Sequence, residues 1–396
     1  MSIVYLISLW LSLPVWAILI GMSAVSLGLW KLIPAYPEFE LTATRSERVW
    51  TAVLLIIGLA IIIYKAYSVE EKAGHWDAWW FWNMRANYLA RPEHWRLAFS
   101  GNQYGTPFTV PVAHSDYPPF LPLITGFCWR LLSMQPAVLP FVWSMLALLL
   151  IPAVLFIELF PRNKVVAITA LFFFTTQDYI IKLGTSQTAD VWIALFLLLA
   201  CISYHAFNVT RDKACILFLG AALGCCLWAK NEGVLLTGVF MAFTIPAIIR
   251  QRCLNKFIQG IAVPLLALVF FKMALAPPND IIAAQDESIW VKISDLSRYR
   301  DVRRLTWDMV ELYFPALPYL LAGYFIFCIL EKKRPDRTIW IVLLGFMAYL
   351  SVYIVTPHNI GWHINTSVDR LVFHLFPALL WIISLRLTRV RFELGS

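Results

Sequence analysis

Charge is scarce in this chain. Only 14% of its 396 residues are Asp, Glu, Lys or Arg, 60% are hydrophobic, and the mean hydropathy is +0.70. Soluble domains carry about 25% charged residues, so this composition excludes an ordinary soluble globular protein. The chain also lacks a P-loop, GxGxxG, HExxH or GxSxG motif, which leaves ATP-driven and zinc-dependent chemistry without support. Its 7 cysteines are scattered through apolar runs with no CxxC and no Cys/His ligand spacing, so they read as packing residues and no metal site follows from them. No Gly-, Ser- or charge-rich linker sets off a soluble domain. The first hydrophobic stretch, Ile3 to Trp30, has neither a basic start nor a small-residue cleavage site, and reads as a retained span rather than a signal peptide. The net charge of +8 is not a nucleic-acid signal, because the basic residues lie in short loops between apolar runs.

Those runs are the main content of the chain. They cover 3–30, 49–67, 137–160, 165–183, 189–208, 214–229, 233–249, 258–276, 312–331, 338–356 and 371–387. Several reach the ~20 residues that cross a bilayer as a helix, so the expected fold is an all-α polytopic membrane protein. A further apolar segment, Pro118 to Leu132, is short and contains Pro118, Pro119, Pro122 and Arg130.

The basic loops decide how that segment is read. If it enters and leaves on one side, then Lys31, Arg45 and Arg48 share a face with Arg162, Lys164, Arg211 and Lys213. Arg250, Arg252, Lys256, Lys332, Lys333, Arg334 and Arg337, and finally Arg386, Arg389 and Arg391, join them. If it crosses, every later basic loop moves to the opposite face. The positive-inside rule selects the first arrangement, with about eleven crossings, a cytoplasmic C-terminus, an outer N-terminus and a re-entrant helix after Asp116. The outer face then receives the Glu70–Gly126 loop, the turns at Gln187 and Lys230, and the 277–310 and 357–370 loops. It also gathers Asp77, Asp116, Asp190, Glu232 and Asp369 with His75, His114, His358, His363, Lys230 and Arg370. Ionisable groups near a bilayer are costly unless paired or wet, so their gathering points to a site.

Each motif in this set has a structural and a functional reading. In HWDAWWFWNMRANYLA, residues 75–90, Asp77 either caps an interfacial helix or acts as a general base facing a cavity. Trp76, Trp79, Trp80 and Trp82 suit the interfacial aromatic belt, and Arg85 could pair with an acid or a phosphate. In HSDYPPFLPL, residues 114–123, Asp116 is the acid of a rigid turn or a second active-site acid beside His114. In TSQTADVW, residues 185–192, Asp190 begins a helix and serves as a cap or a site residue. In WAKNEG, residues 228–233, Lys230 and Glu232 form a salt-bridged turn, or Lys230 holds a phosphate as a point charge. In WHINTSVDRLVFHLFPAL, residues 362–379, Arg370 and His374 share a helix face; Asp369 neutralises Arg370, or Arg370 grips a phosphate bidentately. The mixed charges of 277–310 describe a solvated amphipathic helix, with Arg303 and Arg304 able to contact lipid headgroups or an anionic acceptor.

In this order, WDAWWFWNMRANYL, HSDYPPFLPL, TSQTAD, WAKNEG and HINTSVDRLVFHLFPAL resemble the GT-C superfamily of polytopic glycosyltransferases. The nearest likeness is to the bacterial branch related to protein O-mannosyltransferases and the lipid A aminoarabinose transferase. It extends from about Val49 to Pro377. The resemblance implies an inverting glycosyltransferase that takes a sugar from a polyprenyl-phosphate donor and gives it to an acceptor hydroxyl on a lipid, glycan or protein. It implies Asp77 as the catalytic acid of the first outer loop, with Asp116 as the second acid. Lys230, Arg370 and Arg85 stand as donor-phosphate contacts, and Asp190, His114, Glu232, His363 and Trp76 as acceptor or sugar contacts. No cofactor is implied, although paired acids would accommodate a divalent ion. The bacterial plasma membrane, with the site facing the periplasm or exterior, is the implied location, and the implied partners are membrane lipids and no nucleic acid.

The expected organisation is one integral membrane domain over 1–396, in three parts. Residues 1–47 form an extra N-terminal span and loop with no counterpart in the family, 48–276 a catalytic module with an outer loop over 68–136, and 277–396 an outer loop and C-terminal spans. The short C-terminal tail leaves no room for the large soluble domain of some relatives. Three alternatives stand beside the transferase. A polymerase or ligase would use a diphosphate-linked donor. A lipid or solute transporter would show internal repeats and mid-membrane polar groups. An assembly factor would tolerate Asp77→Asn.

Overall fold

A computed structural model of the chain describes residues 1–32, 45–68, 74–100 and 114–389. Among these residues every regular element is a helix. Arg391, Glu70 and the middle of the first long loop, 101–113, which figure in the sequence reading, lie outside the described residues.

The chain opens with α1 (Ser2–Trp10), α2 (Val15–Leu32) and α3 (Arg45–Ser68). A π-helical turn over Ala78–Asn83 leads into α4 (Met84–Ala90), and α5 (Phe120–Leu132) follows the long loop. Then come α6 (Val138–Leu159), α7 (Lys164–Thr175), α8 (Asp178–Gly184), α9 (Asp190–Thr210), α10 (Lys213–Ala229), α11 (Asn231–Arg250) and α12 (Leu254–Ala274). Three short to medium helices, α13 (Asp280–Ala283), α14 (Ile289–Ser294) and α15 (Leu296–Tyr313), occupy the second long loop. The chain closes with α16 (Ala316–Leu330), α17 (Arg337–Val355), α18 (Ile360–Asn365) and α19 (Val368–Leu387).

Seven of these helices are long and apolar enough to cross a membrane, and the number rises to 9 if each of two bent pairs counts as one span. The chain is therefore a multi-pass membrane protein. Three expected runs are not single helices. The 3–30 run divides into α1 and α2 around Ser12, which has φ +55°, and Pro14, which has no N–H to continue a helix. The 165–183 run bends by 72° between α7 and α8, and the 312–331 run bends by 99° between α15 and α16. The 214–229 run is α10, only 17 residues long. It packs among α9, α11 and α12, so neighbouring protein rather than lipid surrounds much of it. Helix α5 has 13 residues, which span about 20 Å at 1.5 Å per residue, short of the ~30 Å hydrocarbon layer.

Successive helices alternate in direction and define two ends. At one end lie Ser68 of α3, Asp190 of α9, Asn231 of α11, Lys272 of α12, Val355 of α17 and Val368 of α19. At the other lie the short basic connections, including Arg211, Arg250, Lys333 and Arg386. The most deeply placed element is α19, most of whose residues are buried, including Arg370's neighbour one turn on, His374. Being surrounded by protein is what allows α19 to carry polar groups inward. Helix α1 also packs inward. Tyr5 Oη donates to Leu89 O at 2.6 Å, Trp228 Nε1 donates to Ser2 Oγ at 3.0 Å, and Tyr5 meets Phe127 edge-on. Helix α1 is thus a support for α4 and α5, while α2 leaves most of its described side chains exposed.

Candidate active site

The polar end holds two linked clusters of charged side chains. The first is centred on Asp190, which is 1% exposed at the start of α9. Its Oδ1 accepts from Lys230 Nζ at 2.8 Å and lies 2.7 Å from His374 Nε2. A carboxylate can only accept, so Nε2 carries a proton, and Nδ1 lies 3.1 Å from Tyr349 Oη. Lys230 Nζ also reaches Glu232 Oε1 at 2.9 Å, and Tyr117 Oη donates to the same oxygen at 3.4 Å. Burial alone would lower the pKa of Lys230, but Asp190 and Glu232 outweigh it and raise the pKa above its usual value. Lys230 is therefore a fixed cation, committed to two carboxylates.

One turn back along α19, Arg370 Nη1 donates to Asp77 Oδ2, and its Nη2 donates to Thr366 O at 2.7 Å. Asp190 and Asp369 also act on this guanidinium electrostatically. The expected i, i+4 pairing of Arg370 and His374 on one helix face holds, and the two residues deliver two donors to two different acids. Asp77 makes no side-chain cap bond to the helix it precedes. Asp369, the sequence neighbour that would neutralise Arg370, instead accepts from Tyr179 Oη at 2.6 Å. Tyr179 stacks on Tyr313 with ring centroids 4.1 Å apart.

The second cluster surrounds Asp116, which is buried just before α5. Its Oδ2 accepts from Asn231 Nδ2 and Asn279 Nδ2, each at 2.7 Å. Lys272 Nζ donates to Asp116 O at 2.6 Å and to Asn231 Oδ1 at 2.9 Å, and lies 3.7 Å from the carboxylate. Arg85 is 0% exposed. Its Nη1 donates to Tyr117 O at 2.9 Å, it faces the Phe99 ring at 5.4 Å, and its Nε and Nη2 find no hydrogen-bond partner among the described residues. Burial pulls its pKa down to about 9 against the opposing pull of Asp116.

The two clusters meet at Lys230, Asn231 and Glu232 and at Tyr117. Lys230 is in extended conformation between α10 and α11 while Asn231 begins α11, and their side chains part: Lys230 serves Asp190 and Asn231 serves Asp116. Tyr117 gives its hydroxyl to Glu232, its carbonyl to Arg85 and its ring face to Lys230 at 5.6 Å. His114 stacks on that same ring at 5.2 Å.

Of the residues expected at the site, Asp77, Asp116, Asp190, Lys230, Glu232, Arg370, Arg85 and His114 thus form one connected network. His363 lies to the side, with Nδ1 2.8 Å from Thr356 Oγ1 and its ring against Tyr353. Trp76 is largely exposed and packs on Trp80. Trp82, grouped with the interfacial tryptophans in the sequence, is buried against Phe81 and Tyr117, because the π-turn rotates it away from its neighbours. The sequence reading missed Lys272, Asn231, Asn279, Tyr117 and Tyr349. Lys272 was detectable as the lysine that interrupts the apolar run after Gln259, in the last turn of α12. The asparagines carried no local signal that separates them from loop residues.

Among the described residues no group of three or more His, Cys, Asp or Glu side chains is arranged to hold a metal ion. The arrangement offers carboxylates able to take a proton, and guanidinium and ammonium groups able to hold an anion. No protein-family model, curated protein or solved structure matches the chain.

Proposed function

We propose that this protein is an inverting glycosyltransferase of the GT-C type, which moves a sugar from a polyprenyl-phosphate donor to an acceptor hydroxyl, with Asp77 as general base. The observation that carries this reading is the contact between Asp77 and Arg370 at the end of the spans. A group able to accept a proton and a group able to hold a departing phosphate touch one another. The pair lies at the start of the long apolar helix α19, which supports a donor whose prenyl chain is in the hydrocarbon and whose phosphate is at its edge. When the donor binds, its phosphate competes with Asp77 for Arg370, which leaves Asp77 Oδ2 free to face the acceptor. The acceptor oxygen then forms a bond to the anomeric carbon while the bond from that carbon to the phosphate oxygen breaks. The electron pair leaves on the phosphate and the acceptor proton passes to Asp77. Arg370 stabilises the charge that develops on the phosphate. Arg85 and Lys272, both beside Asp116, are further cations for that phosphate or for an anionic acceptor. Lys230 fixes Asp190 and Glu232 in place, so its support to the phosphate is through space.

The same reading takes α5 as a re-entrant helix, the basic end as cytoplasmic and the site as facing the exterior of a bacterial plasma membrane, with cell-envelope glycosylation as the setting. The length of α5 and the clustering of basic loops support it. A transporter is the second reading, favoured by the 72° and 99° breaks, since interrupted helices line many transport sites. The acids lie at span ends rather than mid-span, which weighs against it.

The test uses purified protein in nanodiscs with a panel of radiolabelled polyprenyl-phosphate and polyprenyl-diphosphate sugars. One monophosphate donor should turn over, and Asp77→Asn should lower transfer about 10²–10⁴-fold while donor binding persists. Turnover that survives Asp77→Asn would move the base to Asp116 or Asp190. Turnover of diphosphate donors alone would replace the donor class. Binding and movement of the lipid across a bilayer without transfer would select the transporter.

A further inference from the structure

A second polar site lies at the basic end, far along α19 from Arg370. The loop before α17 and the last turns of α19 enclose a cavity of about 220 Å³, lined by Tyr324, Arg334, Asp336, Ile382, Leu385, Arg386 and Arg389. That is many times the ~30 Å³ share of one water, so there is room for a phosphate and part of its ester. The guanidinium groups come from two separate elements. Arg386 is 6% exposed; Glu331 Oε2 lies 2.6 Å from its Nη2, while its Nε has no hydrogen-bond partner among the described residues. A basic residue in the last turn of a helix is common on dipole grounds alone. The unpartnered, buried nitrogen and the two additional arginines are what distinguish this place.

The nearby acids are already engaged. Asp336 Oδ1 accepts from Thr338 N at 2.8 Å as the cap of α17, and its Oδ2 lies 3.8 Å from His205 Nδ1. Tyr324 Oη accepts from Asp336 N at 2.9 Å, which ties this wall of the pocket to the cap of α17. Arg334 and Arg389 are exposed and form no ion pair with an acid among the described residues. Ile382 and Leu385 add an apolar wall, which a free ion does not need but a glycerol ester does.

We infer that this pocket binds the phosphate of an anionic lipid headgroup at the membrane face that carries the basic loops. Arginine forks match phosphate oxygens, and the exposed Lys332, Lys333 and Arg337 surround the loop with further positive charge. The site is independent of the transferase reading, because it shares no residue with the network around Asp77 and Asp190.

Native mass spectrometry of the purified full-length protein, titrated with phosphatidylglycerol, phosphatidylcholine or inorganic phosphate, tests it. The pocket variant Arg334→Gln/Arg389→Gln removes two exposed side chains and leaves the buried Arg386 in place. The control Arg250→Gln/Arg252→Gln removes equal charge elsewhere on the same face. Phosphatidylglycerol retention should fall about tenfold in the pocket variant and little in the control, with phosphatidylcholine held weakly throughout. Arg334→Lys/Arg389→Lys, which keeps the charge, should recover part of the retention. If inorganic phosphate binding is lost in the pocket variant while phosphatidylglycerol binding is unchanged, the pocket serves a soluble phosphate and the lipid assignment fails. Equal loss in pocket and control variants, or no loss in either, overturns the site.

Discussion

Asp190 is the residue on which the candidate site turns, although it contacts no exposed surface. It holds Lys230 and His374 on one oxygen, and its other oxygen is buried without a hydrogen-bond partner among the described residues. Taking one member out of a buried charge pair costs about 3–5 kcal/mol, because the partner is left charged in a poor solvent. Asp190→Asn keeps the shape and removes the charge. Its expected outcome is a loss of about 3 kcal/mol in unfolding free energy in detergent, read by thermal or denaturant unfolding. A loss below ~1 kcal/mol would mean that Glu232 alone compensates Lys230. The same residue marks the limit of local reading. An acid at a helix start is most simply a cap. Nothing local in TSQTAD distinguishes that role from the hub of a network reaching 184 residues along the chain to His374.

At the scale of elements, close backbone approach decides how the helices meet. A Cβ on Gly260 of α12 would lie 2.2 Å from Leu217 O and 2.7 Å from Ala221 N, and one on Gly220 of α10 would lie 2.4 Å from Phe257 O. These two helices therefore touch through bare backbone, as small residues permit in membranes. Gly233, at the start of α11, has the same character, since a Cβ there would overlap Cys226 O. That contact keeps the Lys230–Glu232 turn tight against α10 and so aims its three side chains. Gly260→Ala should destabilise the protein by about 1–3 kcal/mol as α10 and α12 are forced apart. Gly238→Ala, in open space on α11, should be neutral or stabilise by up to ~1 kcal/mol through helix propensity. Parallel melting curves of the two variants check this. Equal effects would remove the packing explanation.

For the whole molecule, the basic loops predict which end faces which compartment. The 7 cysteines of the chain are all buried or half-buried, so background labelling is low. Ala284→Cys places an exposed thiol at the polar end, and Lys333→Cys places one at the basic end. In intact cells, a membrane-impermeant maleimide should label Ala284→Cys and spare Lys333→Cys until the membrane is opened. The reverse pattern would put the Asp77–Arg370 site inside the cell, where a donor presented at the outer surface could not reach it.

Composition and hydropathy determined that this is a helical membrane protein, where most of its helices run, and that its acids collect at one set of helix ends. Those properties depend on length and solvent preference, which each stretch of chain carries within itself. The same local rules placed Arg370 and His374 on one face of α19. Only the tertiary structure decided that Asp77, expected as a cap or a base, takes Arg370 as its partner 293 residues away. It also brought Lys272 and two asparagines to Asp116, turned Trp82 inward while Trp76 stayed out, and broke the first apolar run at Ser12 and Pro14. Pairings of this kind depend on how helices distant in the chain are rotated and shifted against one another, and a one-residue turn of a helix moves a side chain by about 100°. No single segment encodes that relative placement; it follows from all the packed faces together.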